Sequence, residues 1–177
     1  MHWTKYLFIC LALLLIACPD IPEEEYNNPI DPDIPELDTP ALIIFPDSAR
    51  VNLGFSVTVD IFAKGVTNLS GAYIELNYDK DKLSILSMSE GDFFAGAEET
   101  IFFIEDDPVT GTVEINTSYL GAGLTNVEGT GSLASLVFTT TVTGVSLIHY
   151  TANCELLDPN DNPIVIESFG SGVINAQ

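Results

Sequence analysis

From Pro40 onward the chain is a succession of short, β-type apolar runs broken by Gly, Asn, Asp and Pro, and no amphipathic helical window of ten or more residues interrupts it. Phe55, Val57, Val59 and Ile61 alternate with Ser56, Thr58, Asp60 and Phe62. That period of two sends successive side chains to opposite faces of a strand. Ala41–Phe45 reads as a continuous apolar strand. Further candidates follow at Ala72–Tyr78, Leu83–Met88, Ile101–Ile104, Thr112–Tyr119, Ser132–Val142, Val145–Tyr150, Asn153–Leu157, Pro163–Ile166 and Gly172–Ile174. The nearest helical window, Lys80–Leu86, is short and interrupted by Ser84. About nine or ten short strands separated by turn residues predict an all-β fold, an antiparallel β-sandwich or jelly roll.

The length of 177 residues leaves room for one such domain plus appendages. Charge narrows its partners. There are 26 Asp+Glu against 5 Lys+Arg, a formal net charge of −21. No basic stripe exists to neutralise phosphates, which excludes nucleic-acid binding. Electrostatic attachment to anionic lipid fails for the same reason. Hydrophobic residues nonetheless make up 46% of the chain, enough to support a packed core.

The first residues are a targeting segment. Lys5 precedes an unbroken apolar run, Leu7–Ala17, too short to span a bilayer but of signal-peptide length. The run ends in Leu15-Ile16-Ala17-Cys18, which resembles a bacterial lipobox and marks Cys18 for lipidation after removal of residues 1–17. The competing readings are an ordinary secretory signal, for which Leu15 stands where a small residue belongs, or an uncleaved anchor. Processing would leave Cys154 as the one thiol of the exported domain, so no intramolecular disulfide forms and Cys154 is expected as a small buried hydrophobe. Residues 18–40 then form a tether. Pro19 to Pro40 holds six of the ten prolines and eight acids but no Lys or Arg. Proline and like charge extend such a segment, to on the order of 60 Å, as a stalk that holds residues 41–177 clear of a surface.

Within residues 41–177 a set of motifs carries a family resemblance. Gly71-Ala72-Tyr73-Ile74-Glu75-Leu76-Asn77-Tyr78-Asp79 is followed by Leu83 and by Glu90-Gly91-Asp92-Phe93-Phe94. Gly129-Thr130-Gly131-Ser132-Leu133-Ala134-Ser135-Leu136-Val137-Phe138 and Leu157-Asp158-Pro159-Asn160-Asp161-Asn162-Pro163-Ile164 come later, and Gly65-Val66-Thr67-Asn68-Leu69 precedes them all. In this order they resemble the cohesin domain across about residues 42–175. The resemblance implies a nine-stranded jelly-roll sandwich, related to carbohydrate-binding modules, that docks a dockerin. A dockerin is a small paired calcium-loop module carried by another protein, often a polysaccharide-degrading enzyme, so any calcium belongs to the partner and no cofactor is implied for this chain. By the same resemblance the recognition face is one sheet, and its residues here are Tyr73, Glu75, Asn77, Asn116, Ser118 and Leu120. The chain departs from the best-known type, whose recognition strand carries an Asn and an Asp where Gly71 and Tyr73 stand.

Catalysis finds no support in the residues. Glu98-Glu99 and Glu105-Asp106-Asp107 are the obvious acid pairs for a glycosidase, but neighbouring carboxylates on a strand point to opposite faces. With His2 in the leader, His149 is the remaining imidazole, and its place in a strand-like run reads as structural. Asp158, Asn160 and Asn162 alternate like the first ligands of a calcium loop. Pro163 and Phe169 stand where an EF-hand needs Gly and Glu, so a turn is expected. The protein is therefore expected to be a non-catalytic, membrane-anchored adaptor. Two alternatives remain open. One is direct binding of a polysaccharide through Tyr73 or Tyr119, since Trp3 leaves with the leader; the other is an envelope spacer or adhesin without a specific ligand.

Overall fold

The computed structural model describes residues 37–97, 99–120 and 127–177. The leader, Cys18, the tether up to residue 36 and Glu98 lie outside the described residues. Among those described there is no helix, and the strands are β1 (Ala41–Phe45), β2 (Ser48–Val51), β3 (Ser56–Val66), β4 (Gly71–Tyr78), β5 (Leu83–Glu90), β6 (Glu99–Asp107), β7 (Thr112–Leu120), β8 (Gly129–Thr140), β9 (Gly144–Tyr150), β10 (Glu155–Leu157), β11 (Pro163–Ile164), β12 (Ser168–Phe169) and β13 (Ser171–Ala176). They form a two-sheet sandwich. The first sheet runs β12-β1-β3-β8-β5. The second is built around β4, which pairs with β7 on one side and with β10 and β9 on the other; β6 extends the β7 side, and β13 and β2 extend the β9 side.

Most ladders are antiparallel, β6–β7 and β10–β11 between consecutive strands and the rest between strands not consecutive in sequence, but the sheets are mixed. β1 pairs with β12 and β13 pairs with β2 in parallel. The reason lies in a strand that changes sheets. Pro46 has no N–H and cannot continue the β1 ladder, so β1 stays beside β3 while β2 crosses to the second sheet. The C-terminal β12 and β13 divide in the same way and run alongside. β2 and β12 have no counterpart among the strands expected from sequence. Ser-Ala-Arg-Val at 48–51 alternates polar with apolar over only four residues, and β12 has only two. β6 is longer than Ile101–Ile104 because nine residues pair with β7, drawing Glu99 and the acids 105–107 into the strand.

The core lies between the two sheets. β4 contributes Ala72, Ile74, Leu76 and Tyr78, β7 contributes Val113 and Ile115, and the first sheet answers with Leu42, Ile44, Val59, Ile61, Leu136 and Phe138. Tyr78 and Phe138 meet edge to face across the layers, with ring centroids 5.5 Å apart. The glycine motifs are packing devices. A Cβ on Gly91 would collide with the Ser132 carbonyl, and one on Gly131 with the Phe93 ring. This close approach seats Phe94 in the core, 5.6 Å from the Tyr119 ring. Asp79 closes the β4–β5 turn by accepting from the Asp81 N–H at 3.2 Å and the Lys82 ammonium at 2.7 Å.

Candidate docking face

Because β4 is buried on one side, its alternation fixes what the other side offers. Ala72, Ile74, Leu76 and Tyr78 face the core, so Tyr73, Glu75 and Asn77 face outward. β7 lies beside it in register, with Tyr73 opposite Asn116 and Gly71 opposite Ser118. Val113, Ile115, Thr117 and Tyr119 point inward, which turns Glu114, Asn116, Ser118 and Leu120 outward. All six residues expected at the recognition face therefore share one surface, with Leu120 beyond the end of β4 and paired to Glu99 of β6.

β6 adds what the sequence reading did not name. Ile101, Phe103 and Glu105 lie opposite Ser118, Asn116 and Glu114. Ile101 is 46% and Phe103 56% exposed, and Leu120 is 45% exposed on the neighbouring strand. Together with Tyr73 they form an apolar and aromatic surface crossing three strands. One row further along, Glu105, Glu114 and Glu75 stand directly opposite one another. The run Ile101-Phe102-Phe103-Ile104 is apolar on both faces, so composition alone does not say which members are buried. Only the register with β7 does.

The carboxylate at the centre of β4 is held in place. Between β9 and β10 the chain steps away from β4 at residues 151–154, and the Thr151 N–H returns to the Glu75 carbonyl at 2.9 Å. The Cys154 sulfur sits over that step, accepting from the Glu75 N–H and donating to the Glu75 carbonyl, both at 3.5 Å. Cys154 is half-buried rather than fully buried, and desolvation pushes its thiol up, away from a reactive thiolate. Asn153 Nδ2 donates to Glu75 Oε1 at 2.9 Å and Tyr73 O–H to Glu75 Oε2 at 3.3 Å. Hydrogen bonding from the Thr151 hydroxyl, then from Asn153 and Tyr73, holds the Glu75 carboxyl below its usual value against the opposing effect of desolvation. Tyr73 moves the other way, raised by desolvation first and then by the charges of Glu114 and Glu75.

The arrangement is suited to contact rather than bond-breaking. Glu105 faces out and Asp106 faces in, where Tyr78 O–H donates to it at 2.9 Å. Burial and this bond push the Tyr78 hydroxyl far up. His149 is exposed opposite Asn77, not enclosed in structure. Tyr119 is only 9% exposed and packs inward on Phe94, so it offers no ring to a sugar. Asp158 forms the expected turn: its carboxylate accepts the N–H groups of Asn160 at 2.8 Å and Asn162 at 2.9 Å, which lowers it below the usual aspartate value.

Comparison with known proteins bears on the fold and the family. The family described as Cohesin domain matches residues 44–175. Among curated proteins none matches significantly. Among solved structures, a non-cellulosomal cohesin from the archaeon Archaeoglobus fulgidus is 14% identical with a TM-score of 0.63, covering 77% of this chain and 90% of that one. A type II cohesin domain from the cellulosome of Acetivibrio cellulolyticus is 21% identical with a TM-score of 0.64, covering 76% and 94%. The sixth cohesin of scaffoldin B from the same organism, crystallised in complex with a Cel5 dockerin, is 21% identical with a TM-score of 0.62, covering 77% and 98%. At these identities the likeness shows a shared jelly-roll fold, and the family match over most of the chain shows more: the protein belongs to the cohesin domain family, a family of non-catalytic modules.

Proposed function

We propose that the outer face of β6, β7 and β4 docks a dockerin module borne by another exported protein, and that the chain is a non-catalytic adaptor. The observation that carries this reading is the exposed surface of Ile101, Phe103, Leu120 and Tyr73 on a sheet whose other face is core. Large apolar side chains grouped on an exposed sheet mark interaction surfaces, and aromatic anchors dominate the energy of such contacts. Tyr73, Glu75, Asn77, Asn116 and Ser118 supply the polar part of the same surface. Lipidation at Cys18 would hold the adaptor in a membrane, and residues 19–40 would project it, so that recruitment raises the effective concentration of the partner near its substrate. Calcium would belong to the partner.

The test is capture of exported proteins from the source organism on the immobilised full-length chain, with and without EDTA, followed by mass spectrometry. A captured protein containing a dockerin, released by EDTA and lost with Phe103→Ala, supports the reading. Retention of glycan in place of any dockerin-bearing protein would make the chain a direct polysaccharide binder. Capture of neither would leave a spacer.

A further inference from the structure

The step between β9 and β10 is irregular in a way that serves one side chain. β9 leaves β4 at the pair Leu76–Tyr150, and β10 joins it at Tyr73–Glu155. Two residues of β4, Ile74 and Glu75, therefore stand against four, Thr151 to Cys154. A bulge of this kind re-aims side chains and is over-represented beside functional sites. Here its atoms close around Glu75. The Glu75 carbonyl accepts from the Thr151 N–H and the Cys154 thiol, and the Glu75 N–H donates to the same sulfur. The carboxylate accepts from Asn153 Nδ2 at 2.9 Å, from the Tyr73 hydroxyl at 3.3 Å and from the Thr151 hydroxyl. The Asn153 N–H in turn donates to the Thr151 oxygen at 3.2 Å, leaving that hydroxyl's own proton for Glu75. Asn153 thus holds the carboxylate twice, once directly and once through Thr151.

Hydrogen bonds to a carboxylate at the surface add little to stability. They matter more for recognition. A free glutamate on a sheet surface samples several rotamers, whereas one already held in place gives up no freedom when a partner covers it. We infer that Asn153 is a positioning and specificity-determining residue of the docking face, which holds Glu75 in one orientation with a single acceptor direction left for the partner. A carboxylate has about four lone-pair directions. Asn153, Tyr73 and Thr151 occupy three of them. The remaining one suits a single N–H or O–H of the partner, and a partner without a donor there leaves a charged acceptor covered and unpaired. This rests on the docking reading above and goes beyond it by naming a residue outside the strands of that face and the donor that it selects.

The experiment uses the full-length chain and a recombinant, calcium-loaded dockerin identified by the capture above. Isothermal titration calorimetry gives Kd for the wild type, Asn153→Ala, Glu75→Ala and Asn153→Ala/Glu75→Ala. Asn153→Ala should weaken binding about three- to tenfold, and Glu75→Ala about tenfold or more. In the Glu75→Ala background the second change should add nothing, because Asn153 then has no carboxylate to hold. A partner-free readout accompanies these. The titratable groups around Glu75 are Tyr73 on its own strand, Glu114 opposite on β7, His149 opposite Asn77, Glu155 opposite Tyr73, and Cys154. None of them changes in Asn153→Ala. NMR of the Glu75 carboxyl carbon should nonetheless show its midpoint rise, because a donor to the charged form is removed, while Tm stays within about 2 °C. Equal losses from Asn153→Ala in both backgrounds, or an unmoved Glu75 midpoint, overturn the inference. A dockerin bound equally by the wild type and Asn153→Ala also overturns it and leaves the docking reading intact. Absence of any dockerin binding overturns both.

Discussion

Replacing Phe103 by alanine separates docking from folding. The side chain is 56% exposed at the outer face of an edge strand, so its removal leaves the core between the sheets untouched. With ~200 Å² for a phenylalanine side chain, about 110 Å² remains for a partner to cover, worth about 3 kcal/mol at about 25 cal/mol per Å², or roughly a hundredfold in Kd. The change in stability should stay within about 0.5 kcal/mol, as for surface positions generally. Isothermal titration calorimetry against the captured dockerin gives the first quantity and a urea titration the second. Phe55→Ala is the matched control: Phe55 is 64% exposed but precedes β3, in the first sheet, away from the proposed face, so its affinity should not move. Equal losses from both variants, or none from Phe103→Ala, would refute the assignment of the face.

Three further outcomes follow from the packing and the titration of the same sheet. Ile115→Ala, at a fully buried position in the centre of β7, should lower stability by about 3–4 kcal/mol, read as a fall in the urea midpoint with an unchanged slope. Gly91→Ala drives a methyl against the Ser132 carbonyl, where main chain and not a flexible side chain must give way, and should cost about 1–3 kcal/mol in the same titration. Glu75 titrates below its usual value in the folded protein, so its contribution to stability is present above the unfolded pKa and is lost as pH falls through the folded one. Glu75→Gln should therefore flatten the acid side of the stability profile, and NMR of the Glu75 carboxyl carbon should show the lowered midpoint directly.

The extent to which this protein is legible in its sequence depends on how its residues alternate. β4 and β7 each bury one face and expose the other, so period two separates Tyr73, Glu75 and Asn77 from the core side of β4, whereas their grouping with Asn116 and Ser118 on one face came from the family resemblance and not from periodicity. The glycine motifs were readable as fold determinants because Gly91 and Gly131 sit where main chain or an aromatic ring presses close. β6 was opaque for the opposite reason: four consecutive apolar residues fit either orientation, and only pairing with β7 turns Ile101 and Phe103 outward. The line of Glu105, Glu114 and Glu75 is likewise invisible in one dimension, since it joins three strands whose neighbouring members lie up to 39 positions apart in the chain. The two parallel pairings arise where the first and last strands of the domain meet, a contact that no local signal encodes.

The most direct test is hydrogen exchange of the full-length chain with and without the calcium-loaded dockerin, resolved to single strands. The account predicts new protection confined to β4, β6 and β7, strongest around Phe103, Asn116 and Tyr73. Protection appearing on β3, β8 and β5 instead, around Asp60, Phe62 and Ser135, would contradict it and place the docking surface on the opposite sheet.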